Sequence, residues 1–168
     1  MTALHRACLI AATLLLGACG FQLRGTASLP FETIYVPPSN APGVALDLKR
    51  NILSGTRAKV VDDPKAAEAI LEFSQEAREK HILSIAANGR VREFQLRYRV
   101  VFRVHDGKGG EYLAPSTIQL TRDVSFNDSD LLAKESEEQL LYRDMQFDIV
   151  QQIMRRLSAA QRPKPAAL

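Results

Sequence analysis

Four consecutive residues near the start of the chain, Leu16-Gly17-Ala18-Cys19, have the types and spacing needed for a covalent modification. A branched apolar residue and two small residues precede the cysteine. A peptidase can therefore reach the bond before Cys19, and the thiol can accept a diacylglycerol group. An ordinary signal peptide with an incidental cysteine is the alternative. The motif favours Cys19 as the lipid-carrying first residue of the mature chain.

The residues before this motif have the composition of a secretory signal peptide. The first seven residues include a histidine and an arginine but no acidic residue, and 8–16 is an apolar run. That run is shorter than the about 20 residues that a membrane-spanning helix needs. We therefore expect residues 1–18 to be removed as a signal peptide. Cys8 is lost with them, so Cys19 is the one thiol of the mature chain and no disulfide forms.

The sequence after Cys19 predicts where the mature chain resides and how it is divided. Gly20 stands where an aspartate would be the usual signal for retention in the inner membrane, so we expect an outer-membrane lipoprotein that faces the periplasm. We interpret 19–30 as a lipidated tether, 31–160 as a single domain and 161–168 as a disordered tail. The net charge of +3 is too small to indicate a nucleic-acid partner.

Hydrophobic periodicity predicts four strands and two helices. In chain order they are a strand at 31–36, a helix at 44–54, strands at 69–84, 93–105 and 116–126, and a helix from 130 to 160. A helix competes with the strand at 69–84 because 67–80 contains many helix formers. The strand is preferred because Asn88-Gly89, a strong hairpin signal, follows it. Residues 59–61 are either a strand start or a lead-in.

This order predicts an α+β two-layer sandwich, in which two helices cover one face of a four-stranded, mostly antiparallel sheet. On the strand at 69–84, alternation places Leu71, Phe73 and Ala77 on one face and Glu76 and Arg78 on the other. The uncovered face of the sheet is expected to be polar. It would present Arg97, Arg99, Arg103, Gln119 and Thr121.

The sequence contains no pattern typical of catalysis or metal binding. His81 and His105 are isolated on strands, and neither H-E-x-x-H nor C-x-x-C occurs. The Gly-rich run 106–110 lacks the G-K-[ST] ending of a phosphate-binding loop, and no serine lies in a G-x-S-x-G elbow. We therefore predict a non-enzymatic protein with no metal and no cofactor apart from the covalent lipid on Cys19.

Three basic residues are candidates for a single cationic end of the domain. Arg90 and Arg92 follow the Asn88-Gly89 turn, and Lys134 lies early in the second helix. If the hairpin tip and the start of this helix meet, the three side chains suit phosphate groups, which Arg binds bidentately and Lys as a point charge. On physical grounds alone, ordinary solubilising charges are the favoured interpretation.

Several stretches of the chain resemble the LptE family of LPS-assembly lipoproteins. They are the lipidation motif with its continuation Cys19-Gly20-Phe21-Gln22-Leu23-Arg24-Gly25, the run Glu93-Phe94-Gln95-Leu96 after Asn88-Gly89, Leu132-Ala133-Lys134-Glu135, and Asp144-Met145. The resemblance implies an outer-membrane lipoprotein that sits inside the β-barrel of LptD, helps the barrel to fold and binds lipopolysaccharide (LPS).

The resemblance also implies which residues contact LPS. The family has a Lys in its last helix, which Lys134 matches, and a basic residue before the hairpin Asn-Gly, where this chain has Ala87. Arg90, just after the turn, is the candidate replacement, and Arg92 lies beside it.

An alternative function is a lipoprotein carrier or scaffold that binds an amphiphile in a cavity of its own. Such a carrier needs a sheet curved around a pocket, whereas a barrel plug is retained by a much larger membrane protein. A hydrolase is a third class, which would need a cleft with an activated nucleophile.

Overall fold

The computed structural model describes residues 28–38, 43–127 and 130–163. The predicted signal peptide, Cys19, and most of the predicted tether and tail lie outside these residues. The elements in chain order are β1 Thr33–Tyr35, α1 Val44–Gly55, β2 Lys59–Val61, a 3-10 turn Pro64–Ala66, β3 Ala69–Ile85, β4 Val91–His105, β5 Glu111–Ser125 and α2 Leu131–Ala159.

The strands form one mixed sheet in the order β2-β1-β3-β4-β5. β1 is parallel to both β2 and β3, whereas β3, β4 and β5 are antiparallel. The α+β class with two helices is confirmed, but the prediction of four mostly antiparallel strands is wrong. Lys59–Val61 is a strand that pairs with β1 after the crossover through α1. Three residues are too few to give a readable alternation.

A long hairpin of β3 and β4 carries the sheet well beyond the short parallel strands. β3 has 17 residues, which corresponds to a length of about 55 Å. At the turn, the Gly89 amide donates to the Ala86 carbonyl at 2.9 Å, and Gly89 has a φ of 80° that favours glycine. The Asn88-Gly89 hairpin is therefore confirmed. We call this end of the molecule the tip.

The hydrophobic core lies between one face of the sheet and the two helices. The alternating apolar residues of β4 and the apolar residues at i+4 steps in α2 both supply it. Its fully buried members from these two elements are Leu96, Tyr98, Val100, Phe102, Val104, Met145, Ile149, Ile153 and Leu157. Leu141, which begins the series of apolar residues at i+4 steps in the sequence of α2, is only partly buried.

The strand β3 changes the face that it presents at Ser74. Phe73 pairs with Phe102, whereas Gln75 pairs with Val101, so Ser74 is the extra residue of a β-bulge. Because side chains alternate with a period of two, one extra residue inverts the facing of the side chains that follow, up to the next irregularity between Ile82 and Ser84. The predicted facing of β3 is therefore correct before Ser74 and wrong after it.

The bulge turns Glu76 and Arg78 toward the helices and Ala77 toward the open face. The Arg78 Nη2 donates to Gln146 Oε1 at 2.6 Å and to the Tyr98 hydroxyl at 3.2 Å. The Tyr98 hydroxyl donates to Glu76 Oε1 at 2.5 Å. Burial, followed by this hydrogen bond, raises the pKa of Tyr98 far above its usual value, so that the hydroxyl remains a donor.

Contacts to both helices complete this arrangement. The Arg78 guanidinium lies 4.7 Å from the ring centroid of Tyr98 and 5.6 Å from that of Tyr142, which are favourable cation–π distances. From α2, Gln146 Nε2 donates to Asp47 Oδ2 of α1 at 2.5 Å. These bonds join β3, β4, α1 and α2. We call Asp47, Glu76, Arg78, Tyr98 and Gln146 the polar cluster.

The position of Gln146 predicts its contribution to stability. Gln146→Ala removes one hydrogen bond to a guanidinium and one to a carboxylate, and should lower the free energy of unfolding by about 2 kcal/mol. Gln139→Ala, at an exposed position of the same helix, should change it by less than about 0.5 kcal/mol. Urea unfolding of the mature chain measures both, and equal effects would contradict a stabilising role for the polar cluster.

Candidate functional site

The tip brings together the β3–β4 turn, the end of β5 and the start of α2. The Phe126 amide donates to the Arg92 carbonyl at 2.7 Å. The Lys134 Nζ donates to the Ser125 hydroxyl at 3.0 Å, and Ser125 pairs with Glu93 of β4. The hairpin and the helix therefore meet, which is the arrangement that a single cationic end requires.

Lys134 is held at the tip by two partners. Besides Ser125, its Nζ contacts Glu137 Oε2 at 2.8 Å, one helical turn further along α2. The Lys134 side chain is 21% exposed and that of Glu137 is 46% exposed. A phosphate that reaches Lys134 must therefore share the ammonium with Glu137 or replace it.

Arg90 and Arg92 follow the Asn88-Gly89 turn, and both residues are exposed. The Asn88 side-chain oxygen accepts from the Arg90 amide at 3.2 Å, and the Arg90 carbonyl accepts from the Ala86 amide at 2.7 Å. Asn88 therefore fixes the backbone from which Arg90 projects. The Arg92 side chain is exposed, and a guanidinium can form the bidentate hydrogen bonds that phosphates favour.

An aromatic pair packs where the hairpin meets the end of β5. The rings of Phe94 and Phe126 meet edge to face with centroids 5.2 Å apart. The Lys80 Nζ lies 4.3 Å from the Phe94 centroid and 2.6 Å from Glu138 Oε2 of α2. These contacts pack the end of β5 and the start of α2 against the hairpin, so the tip is braced by side chains as well as by the sheet.

Sequence reasoning missed a group of aliphatic side chains at the same end. Their exposure ranges from 47% for Leu83 to 80% for Leu132. The signal was present in two short apolar runs that lie outside the core periodicity, one before the hairpin turn and one at the helix start. The group consists of Ile82, Leu83, Ile85, Leu131 and Leu132.

The open face of the sheet has a different character, because its charges are paired. Arg97 Nη1 lies 3.5 Å from Glu79 Oε2, and Arg103 Nη2 lies 2.6 Å from Glu72 Oε2. In both pairs the two residues are direct cross-strand neighbours, which is a stabilising arrangement. Among the described residues, Arg99 has no such carboxylate partner.

Both histidines in the described part of the chain lie beside these carboxylates. His81 Nε2 is 2.9 Å from Glu79 Oε2, and His105 Nε2 is 3.6 Å from Glu72 Oε2. The hydrogen bond with His81, and the nearby Arg97, hold the pKa of Glu79 below its usual value of 4.5. Within the described ranges, no group of three His, Cys, Asp or Glu residues could hold a metal ion.

Two clefts lie away from the tip. A cleft of about 610 Å³ is lined by residues that include Ile70, Asp106 and Arg162. Another of about 560 Å³ is lined by residues that include Phe31 and Arg57. Both are at the end of the sheet where β1 begins, and both mix charged with apolar side chains. Neither resembles the apolar interior that a carrier with its own cavity would need.

None of the helices in the described ranges has the length and apolar character needed to cross a membrane.

Comparison with known proteins first defines the class. The solution structure of an uncharacterized lipoprotein B from Nitrosomonas europaea is 46% identical, with a TM-score of 0.71 over 83% of this chain and 91% of that one. The crystal structure of the rare lipoprotein B from Shewanella oneidensis is 26% identical, with a TM-score of 0.63 over 76% and 94%. The fold is therefore that of a group of bacterial lipoproteins.

The family follows from the sequence match. Residues 31–157 match the family model LptE, described as lipopolysaccharide-assembly. The LPS-assembly lipoprotein LptE of Pectobacterium atrosepticum is 27% identical over 149 residues, covering 87% of this chain and 80% of the relative. That of Yersinia enterocolitica is 29% identical over 153 residues, covering 87% and 71%. The chain belongs to the LptE family, which confirms the resemblance seen in the sequence.

The charge pairs on the open face predict how the pKa of Glu79 responds to substitution of its partners. His81→Leu removes the largest cause of the lowered Glu79 pKa, so this pKa should rise toward 4.5 while Arg97 keeps it from rising fully. Because the pKa is lowered in the folded state, the pair stabilises the fold above the unfolded pKa and loses this effect as pH falls through the folded value. His105→Leu, beside Glu72, should leave Glu79 unchanged. Carbon-detected NMR titration measures each carboxyl, and equal shifts in the two variants would contradict the assignment.

Proposed function

We propose that the mature chain is anchored in the outer membrane by a lipid on Cys19, faces the periplasm and lodges in the lumen of the LptD β-barrel. There its tip binds LPS during insertion into the outer leaflet. Family membership supports a role as an LPS-assembly lipoprotein. The observation that carries the finer proposal is the meeting of the hairpin carrying Arg92 with the helix carrying Lys134 through Ser125 and Phe126.

The open face of the sheet suits a polar lumen. The interior of a large membrane barrel is polar, and a surface placed there must not bring unpaired charges that the lumen cannot match. The Arg97–Glu79 and Arg103–Glu72 pairs satisfy most of the charge of this face within the sheet. Hydrogen-bonding side chains of β5 extend it. Such a surface can fill a barrel and keep it open without catalysing a reaction.

The tip suits the phosphates of LPS. Arg90 and Arg92 offer planar, bidentate donors, and Lys134 offers a compact ammonium already oriented by Ser125 and Glu137. Bound in this way, the phosphates no longer need the divalent cations that join LPS molecules into aggregates. The mechanism is therefore competition for phosphate charge, which releases single LPS molecules for transfer.

Charge reversal at the tip tests the binding step. Arg90→Glu with Lys134→Glu should weaken LPS binding about tenfold or more, because two attractive contacts become repulsive. The matched control Arg57→Glu with Arg155→Glu makes the same change of charge at exposed positions away from the tip, and should bind as the parent does. Binding of labelled LPS to the full lipidated chain measures both, with thermal unfolding to verify the fold. Equal binding by the two double variants would remove these residues from the site.

Purification from the native membrane tests the partner. The tagged, lipidated chain, extracted in mild detergent, should carry a large β-barrel protein in stoichiometric amount together with LPS. Arg99→Glu, at the centre of the open face, should lower the recovery of the barrel, whereas Arg155→Glu should not. A lone lipoprotein, or one bound to a soluble or peptidoglycan-linked partner, would refute the plug function and favour the carrier.

A further inference from the structure

The exposed apolar surface of the described residues is concentrated at the tip. Of the eight large hydrophobic side chains that remain exposed, five belong to the end of β3 and the start of α2. The other three are spread along the outer surfaces of the helices. Side chains scattered singly are ordinary on a protein surface, whereas a cluster indicates an interaction site. We call the five residues Ile82, Leu83, Ile85, Leu131 and Leu132 the aliphatic group.

The aliphatic group lies beside the cations and is contributed by the same two segments. On the hairpin, Ile85 pairs with Val91, next to Arg92 in sequence. On the helix, Leu131 and Leu132 occupy the first turn, and Lys134 follows after Ala133. One end of the molecule therefore presents positive charge and aliphatic surface together. Its complement is an amphiphile that joins anionic groups to hydrocarbon chains.

The contacts around the tip explain why these side chains are not part of the core. The Tyr142 hydroxyl donates to the Glu79 carbonyl at 2.7 Å, and Lys80 pairs with Glu138. These bonds fix α2 over β3 as far as residue 80. Beyond that point, Ile82 and Ile85 are 56% and 59% exposed. The hairpin and the first turn of α2 thus project their aliphatic side chains away from the shared core.

We infer that the aliphatic group is an acyl-chain contact site, and that the tip takes LPS by its phosphorylated, acylated end and not by its sugar chain. This inference rests on the proposed LPS binding and adds a second set of contacts to it. The phosphates meet Arg90, Arg92 and Lys134, while the first methylene groups of the acyl chains lie against the aliphatic group. Sugar binding would instead require a surface rich in hydrogen-bonding and aromatic side chains.

The test compares two probes on the full lipidated chain in phospholipid nanodiscs. One probe is diphosphorylated lipid A, and the other is the same disaccharide after removal of its acyl chains. Competition with labelled LPS gives the two affinities. The parent chain should bind the acylated probe about tenfold more tightly, because several methylene groups leave water when it binds. Equal affinity for the two probes would overturn the inference.

Substitution of two members of the aliphatic group tests whether these side chains cause the preference for the acylated probe. Ile85→Ser with Leu132→Ser should remove most of the preference for the acylated probe and leave the affinity for the deacylated probe unchanged. The control Leu53→Ser with Phe147→Ser alters side chains of 57% and 60% exposure on the helices, and should keep the preference. An unchanged preference in the tip variant would overturn the inference.

Two further outcomes separate this inference from the proposed function. If the tip variant keeps its preference but recovers less barrel protein from the membrane, the aliphatic group contacts the protein partner, and the acyl-chain site is refuted while LPS binding stands. If the parent chain binds neither probe nor LPS, the proposed LPS binding itself fails, and the acyl-chain site fails with it.

Discussion

One extra residue in β3 determines how the two helices meet the sheet. The bulge at Ser74 turns Glu76 and Arg78 from the open face to the covered face, where an unpartnered guanidinium would be costly. Arg78 is instead satisfied by Tyr98 and Gln146 and lies against two aromatic rings. The helix α2 is therefore positioned by directional hydrogen bonds in addition to apolar packing, and directional bonds specify one register along the strand.

This register sets the position of the tip. Gln146 is near the middle of α2, and the Tyr142 and Glu138 contacts follow toward its start. Each fixes the helix one turn further along the hairpin, so the first turns of α2 reach the end of β5. Lys134 meets Ser125 there for this reason. A shift of one helical turn, about 5.4 Å, would remove that contact.

The sequence predicted most elements because their periodicity is long. Thirteen residues of alternation in β4 and five apolar positions at i+4 steps in α2 are hard to mistake, and Asn88-Gly89 defines the turn between the long strands. The same reasoning left 59–61 open as a strand start or a lead-in, because a strand of three residues is too short to show an alternation. It also could not find the bulge, because an extra residue in a polar stretch changes facing without changing composition.

For the candidate site as well, the sequence predicts residue types, whereas the positions of these residues depend on the tertiary structure. Arg90, Arg92 and Lys134 could be selected by type, but the proximity of the segments that carry them depends on how far α2 extends along the hairpin, which the polar cluster determines. The aliphatic group was missed because a search for charges leaves out apolar side chains that fall outside a core stripe. Exposure is a tertiary property, and it is the exposure of Leu132 and Ile85 that distinguishes them from core residues.

The open face of the sheet and the tip differ in how their charges are paired. This difference fits their proposed roles, in which the open face lies in the barrel lumen and the tip binds LPS. On the open face, Arg97 and Arg103 pair with carboxylates of the adjacent strand, so the face can lie against a polar wall without requiring opposite charges from it. At the tip, the carboxylate partner of Lys134 among the described residues comes from its own helix, on a side chain that is itself 46% exposed. An exposed pair of this kind contributes little to stability, so a phosphate can replace Glu137 at small cost. The cation whose partner a phosphate can replace therefore lies at the tip, which also carries the aliphatic group.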